Sequence, residues 1–284
     1  NTMLNSTLNT YTLPANTNLT RTLKAEIYET GLKYLAVKAY RTQIDLDEEK
    51  YKMALQRASL GPITKKDPIK QSSPPDQSHD SSAFYLGYGK NILSEYSSFK
   101  FRAAFHDLEQ NDAGTVPFSQ NNFGAFELRY YSEIKKLSLE SFTFLNLIST
   151  NPTTPLDRNF SWKVRLDILD QFRPDIELGG GLSFDLVFLK NSRISYFATS
   201  RYLKAESPSL KNSIQLGPEI LFITRPLATL GLSLQLAYFS EYQKTPYLRF
   251  STKLNYQLEQ NLDLQLLAND QKNYQFNFVK NFIF

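Results

Sequence analysis

The stretch LGLSLQLAY, residues 230–238, puts Leu230, Leu232, Leu234, Leu236 and Tyr238 on one face of an extended chain and Gly231, Ser233, Gln235 and Ala237 on the other. The same alternation recurs on both sides of it. Ile176, Leu178, Leu182, Phe184, Leu186 and Phe188 oppose Glu177, Gly179, Gly181, Ser183 and Asp185. Trp162, Val164, Leu166 and Ile168 oppose Lys163, Arg165 and Asp167, and Leu248, Phe250, Leu254, Tyr256 and Leu258 oppose Arg249, Ser251, Lys253 and Gln257. With 83–91, 97–106, 122–131, 137–149, 193–203, 212–223, 262–269 and 273–284, this makes about twelve segments of 9 to 14 residues joined by polar turns. The fold class expected is all-β, a transmembrane antiparallel barrel of about twelve strands over residues 83–284.

A soluble β-sandwich also alternates, but its strands average about 5 to 6 residues, half the length seen here. Aromatics also gather near segment ends (Tyr130, Tyr131, Trp162, Tyr196, Tyr202, Tyr238, Tyr247), as interfacial girdles require. The mean hydropathy of −0.39 looks soluble only because a barrel strand is apolar on one side. No run of about 18 apolar residues occurs, so no transmembrane helix is expected. The 284 residues hold no cysteine and two histidines, which removes thiolate chemistry and Cys-ligated metal and leaves little for a His-built metal site. No cofactor or metal is expected. The 32 basic and 28 acidic residues are dispersed, unlike the concentrated charge of a nucleic-acid binder.

Residues 17–60 read as helical. Leu23, Ile27, Tyr34 and Leu35 recur at helical spacing, and Tyr28, Leu32, Ala36 and Ala39 widen the stripe. A second helix is expected to start at Asp47 as N-cap, to carry Tyr51, Ala54, Leu55 and Ala58 on one face, and to stop at Gly61. The organisation expected is a helical periplasmic segment (1–62), a Pro/Ser-rich linker (63–82) and the barrel (83–284). The start Asn1-Thr2-Met3 shows no signal peptide, so the leader was cleaved or the chain is the C-terminal part of a longer one. Within the barrel, Gly179, Gly180 and Gly181 are expected to allow sharp coiling or a large neighbour, and Pro218 a bulge or broken ladder.

The last segment carries Tyr274, Phe276, Phe278, Phe282 and Phe284 on one face, with Lys280 interrupting it. A closing aromatic of this kind resembles the signal that bacterial outer-membrane barrels present to their assembly machinery, which implies Phe282 and Phe284 as that signal, outer-membrane lipid as surroundings and a Gram-negative outer membrane as location. An even strand count then puts both barrel ends in the periplasm, with external connections near 93–95, 132–136, 170–174, 204–211, 241–245 and 270–272. The longest connections, 107–121 and 151–158, face inward. The face opposite the apolar one carries Lys100, Arg102, Arg129, Lys163, Arg165, Arg193, Arg201, Arg249 and Lys253 against Glu127, Glu140, Asp167, Glu177, Asp185, Glu219 and Asp263. Nearly matched charges cross-pair, so a narrow or closed lumen is favoured over an open channel, and an open one would weakly prefer anions.

His106 and Asp107 sit where a strand meets the longest connection, and His79 and Asp80 precede the barrel. A histidine beside a carboxylate can act as a general base, but no nucleophile is positioned next to either, so the polar-turn reading outweighs catalysis. The stretches FKFRAAFHDLEQNDAG (99–114), FELRYY (126–131) and FSWKVRLDIL (160–169), with SPPDQSHDSS (73–82) and the helices before it, resemble the C-terminal region of bacterial proteins whose N-terminal half is an Lnb-type periplasmic domain. The resemblance spans residues 15–240. It implies an upstream periplasmic domain related to lipoprotein N-acyltransferase domains, or another envelope protein, as partner. Its catalytic residues lie outside these 284 residues; His106 and Asp107 match a motif without an assigned role. The leading expectation is a barrel that anchors that domain. The alternatives are a pore or autotransporter-like translocator with the helix in or at the barrel, and an outer-membrane hydrolase using His106.

Overall fold

The computed structural model describes residues 13, 18–63, 80–92, 94–110, 115–154, 158–169, 173–205, 212–241, 245–270 and 272–282. His79, Phe284 and nearly all of the linker lie outside them. The chain divides into two units, within 1–71 and within 72–284.

The first unit is a helical hairpin of α1 (Arg21–Thr42) and α2 (Asp47–Ser59). Thr20 caps α1, its hydroxyl accepting from the Leu23 amide, and Gln43 ends it in the left-handed region at φ 55°. The helical stretch is therefore two helices with a break at residues 43–46. Asp47 is the first residue of α2 and not its N-cap: Leu46 holds that position, and the Asp47 amide donates to Asp45 Oδ1 at 2.9 Å. The buried seam is Tyr28 and Leu35 of α1 against Leu46 and Met53, with Leu32, Ala39 and Leu60 packed beside it. Leu46, Met53 and Leu60 are spaced by seven, the period of a two-helix seam. The expected face of Tyr51 and Leu55 is exposed instead (65% and 51%), as is Leu23. No described helix is long and apolar enough to cross a membrane.

The second unit is a closed barrel of twelve antiparallel strands, each paired with its sequence neighbour and β1 with β12. They are β1 (Ser82–Lys90), β2 (Glu95–His106), β3 (Ser119–Tyr131), β4 (Lys136–Ser149), β5 (Ser161–Leu169), β6 (Arg173–Asp185), β7 (Ser192–Leu203), β8 (Ser213–Leu227), β9 (Leu230–Glu241), β10 (Tyr247–Glu259), β11 (Leu262–Asn269) and β12 (Tyr274–Phe282). Ser82 pairs with Phe282, so both ends of the barrel lie at one rim, the terminal rim. The twelve expected segments are present, with several ends shifted: β3 starts earlier, at Ser119, β8 runs on to Leu227, and β6 starts at Arg173 and stops at Asp185, so that Leu186 and Phe188 belong to the turn before β7.

The side chains are distributed inside out. Leu178, Leu216, Leu234, Leu236, Leu248 and Leu266 are exposed on the outer wall, while Arg102, Glu127, Arg129, Lys163, Glu177 and Glu219 are buried within. A water-soluble sandwich does the reverse, and a bilayer selects this arrangement. The closing seam is zipped outside by aromatics. Phe282 stacks on Phe84 at 4.6 Å between centroids, and Phe84 reaches Phe99 and Phe101, which meet Phe126 on β3. Gly180 gives room to a neighbour, since a Cβ there would stand 2.5 Å from the Phe160 ring. At Pro218 the β8–β9 ladder is interrupted without a change of register, a local break and not a bulge.

Candidate functional site

Inward-facing charges of β2 to β10 form several ion-pair clusters. Lys163 donates to Glu177 at 2.5 Å and to Glu219. Arg165 reaches Asp175 at 2.9 Å, Glu177 at 3.1 Å and Asp167 at 3.3 Å, and Arg201 grips Asp175 with two hydrogen bonds. Arg129 holds Glu127 at 2.8 Å and Glu140 at 3.0 Å; Lys100 stands 3.9 Å from Glu127, and Arg249 3.6 Å from Glu177. Arg193 pairs with Asp185 at the terminal rim, where Asp185 is half exposed. Asp175 was missed by the sequence reading, which began this strand at Ile176. Two residues from Glu177, it continues the same polar face.

The connection from β2 to β3 turns back into the barrel. Asp107, Leu108, Glu109 and Gln110 are all buried. Asp107 Oδ1 accepts from Arg102 at 2.7 Å, and its Oδ2 accepts from Lys253 on β10. Burial opposes a charge on Asp107, yet the Arg102 guanidinium and the Lys253 ammonium outweigh it and hold the carboxyl well below the usual carboxylate range. Glu109 pairs with Lys253 at 3.0 Å and accepts from Ser233 on β9, and Gln110 donates to Asp263 on β11 at 3.0 Å. The Leu108 carbonyl takes the Arg225 fork from β8, with Nε at 3.2 Å. A Cβ at Gly231 would stand 1.9 Å from the Glu109 carbonyl oxygen, so the close approach of this segment requires glycine there.

Apolar packing seats the same segment. Leu108 and Phe118 join Phe197 of β7 and Leu221 and Ile223 of β8, with Ile148 beside them, in a small core inside the barrel. Phe118 adopts φ 54°, and its ring lies between the guanidinium groups of Arg193 at 4.8 Å and Arg225 at 4.5 Å. Thr150 donates to the Phe118 carbonyl, and Arg193 donates to the Thr150 carbonyl. The sequence signal for this seat was available: Leu221 and Ile223 share the inward face of β8 with Gln215 and Glu219, where a solvated lumen would carry polar groups.

His106 ends β2 facing inward, buried, with Nε2 3.1 Å from Thr115 Oγ1. The connection expected to hang as a polar turn is thus a plug spanning from β2 to β8, β9, β10 and β11. Above it a deep cavity of about 330 Å³ lies among Arg102, Asp107, Glu109, Lys163, Glu177 and Lys253. A larger one of about 880 Å³ lies toward the far rim among Lys100, Glu140, Asp167, Arg201, Tyr247 and Arg249. Among the described residues no cluster of His, Asp and Glu is arranged to hold a metal ion.

Apolar without and charged within, with its own β2–β3 connection folded inward, the second unit is a twelve-stranded β-barrel of the transmembrane type. Residues 72–280 match the model of a family described as a domain of unknown function, DUF7840, and the chain belongs to that family. No curated protein matches it. Among solved structures it is similar to the KdgM porin (10% identity, TM-score 0.39, covering 70% of this chain and 99% of that one) and the NanC porin (9%, 0.40, 70% and 98%). An outer membrane channel from Pseudomonas putida F1 is similar at 10% identity and a TM-score of 0.42, covering 77% of this chain and all of that one.

Proposed function

We propose that this chain is an integral outer-membrane barrel with a closed lumen, whose role is to hold a periplasmic domain at the membrane and not to conduct solutes. The observation that carries this reading is the plug. Residues 107–110 are tied to β2, β8, β9, β10 and β11 by ion pairs and hydrogen bonds, and Phe118 is fixed between two arginines. A channel has no use for so many buried contacts across its bore. The apolar outer wall supports the membrane location, and the HDL, RYY and SW motifs support an Lnb-type upstream domain as the partner. In this orientation the terminal rim and the helical hairpin belong to the periplasm. The enzyme reading finds little support, because both Asp107 carboxylate oxygens are engaged by Arg102 and Lys253 and His106 is buried beside Thr115.

Planar-bilayer recording tests the closure. The refolded chain is expected to be silent, and a variant with residues 108–116 replaced by a short Gly-Ser linker is expected to give stable conductance. Large steady openings from the unmodified chain would remove the anchor reading and leave the pore.

A further inference from the structure

We propose that the larger cavity is a binding site for a small polyanion, a solute carrying two or more carboxylate or phosphate groups, with Lys100 and Arg249 as its anchoring cations. Six cationic side chains line this cavity, Lys100, Arg129, Arg165, Arg173, Arg201 and Arg249, against the five carboxylates of Glu127, Glu140, Asp167, Asp175 and Asp270. The cations are not equally satisfied. Arg129, Arg165 and Arg201 each have a carboxylate within 3.0 Å. Lys100 has Glu127 only at 3.9 Å, and Glu127 is already held by Arg129 at 2.8 Å. Arg249 has Glu177 only at 3.6 Å, and Glu177 is already held by Lys163 at 2.5 Å and Arg165 at 3.1 Å.

Lys100 and Arg249 therefore hold the loosest of these ion pairs, each on a carboxylate whose other oxygen a second cation holds closely. Both side chains are reachable from the cavity, 22% and 30% exposed. An arginine fork takes a carboxylate or phosphate through two parallel hydrogen bonds, and a lysine serves a second anionic group as a point charge. The two stand on β2 and β10, separated around the wall by β1, β12 and β11, so one ligand that engages both needs two separated anionic groups. A volume of about 880 Å³ lies within the roughly 300–1,000 Å³ of small-molecule sites. The deeper cavity beside it shares Arg129, Arg165 and Arg249 with it and is bounded by Asp107, Leu108 and Glu109 of the plug.

The test is isothermal titration calorimetry of the full chain in uncharged detergent at low ionic strength, with citrate and pyrophosphate as probes and glucose as the neutral control. Saturable binding of at least one polyanion is expected, weakening as salt rises, with no heat from glucose. Arg249→Gln and Lys100→Gln are each expected to weaken it about tenfold or more. Lys90→Gln, at an exposed strand end, is expected to leave it unchanged. Heat-modified gel mobility verifies that each variant is a closed barrel, and if Arg249→Gln fails this check, Lys100→Gln alone decides. No saturable binding to the unmodified chain at millimolar probe, or affinity untouched by the folded variants, overturns the proposal.

Discussion

Asp107 has more consequence than any other single side chain here, because it joins the plug to both Arg102 and Lys253. Unfolded, its carboxyl titrates at about pH 3.9, and folded it titrates lower. The sign follows: its stabilisation is complete above the unfolded value and is lost only as the pH falls through the folded one. Closure is therefore expected to persist from neutral pH down to about pH 5, read as unchanged silence in planar bilayers. Asp107→Asn is expected to leak at pH 7, since removing one partner of a buried ion cluster costs about 3–5 kcal/mol. Opening of the unmodified barrel near pH 6 would place the control elsewhere. The motif around Asp107 was legible in the sequence; its direction was not. Alternation shows where a strand ends but carries no information on whether the following turn leaves the barrel or enters it. That was decided by distant residues, Gly231 making space and Leu221 with Ile223 supplying an apolar seat.

Strands and helices differed in how plainly they could be read, for a physical reason. A barrel strand has lipid on one face and charge on the other, so period two is written in strong chemical contrast and all twelve elements were visible. The error at β6 arose because Leu186 and Phe188 continue the pattern after the chain has turned. In α2 the sequence offers two apolar stripes, and only the partner helix decides between them. Tyr51, Ala54, Leu55 and Ala58 form the wider one, yet Met53 is the residue buried, in line with Leu46 and Leu60 against Tyr28 and Leu35 of α1. Met53→Ala is expected to destabilise the hairpin by about 2–5 kcal/mol. Tyr51→Ala should shift it by no more than about 0.5 kcal/mol. Hydrogen exchange of the full chain, followed by mass spectrometry on peptides from residues 21–59, separates the two: exchange should accelerate strongly in the first variant and hardly at all in the second. Equal acceleration would mean that the exposed stripe is the one that matters.

At the scale of the whole molecule, the anchor and translocator readings differ over what closes the barrel. In a translocator of the autotransporter type the preceding helix occupies the pore, so removing it opens a channel. Here the bore is crossed by the barrel's own β2–β3 connection, which is bonded to Arg102, Arg225, Ser233, Lys253, Asp263 and Gln265 of the barrel wall. The hairpin has a core of its own, with the Arg57 guanidinium on Glu29 at 2.8 Å closing it at one end. A version lacking residues 1–78 keeps every strand, the aromatic seam from Phe282 to Phe126 and the entire plug. It is expected to refold to a heat-modifiable barrel and to remain as silent in planar bilayers as the full chain. The combined variant, truncated and with 108–116 replaced, should conduct as strongly as the replacement alone, because the two changes act on different units. Conductance that appears on truncation alone would reverse the assignment, since closure would then depend on the hairpin and the plug would be a lining of the pore.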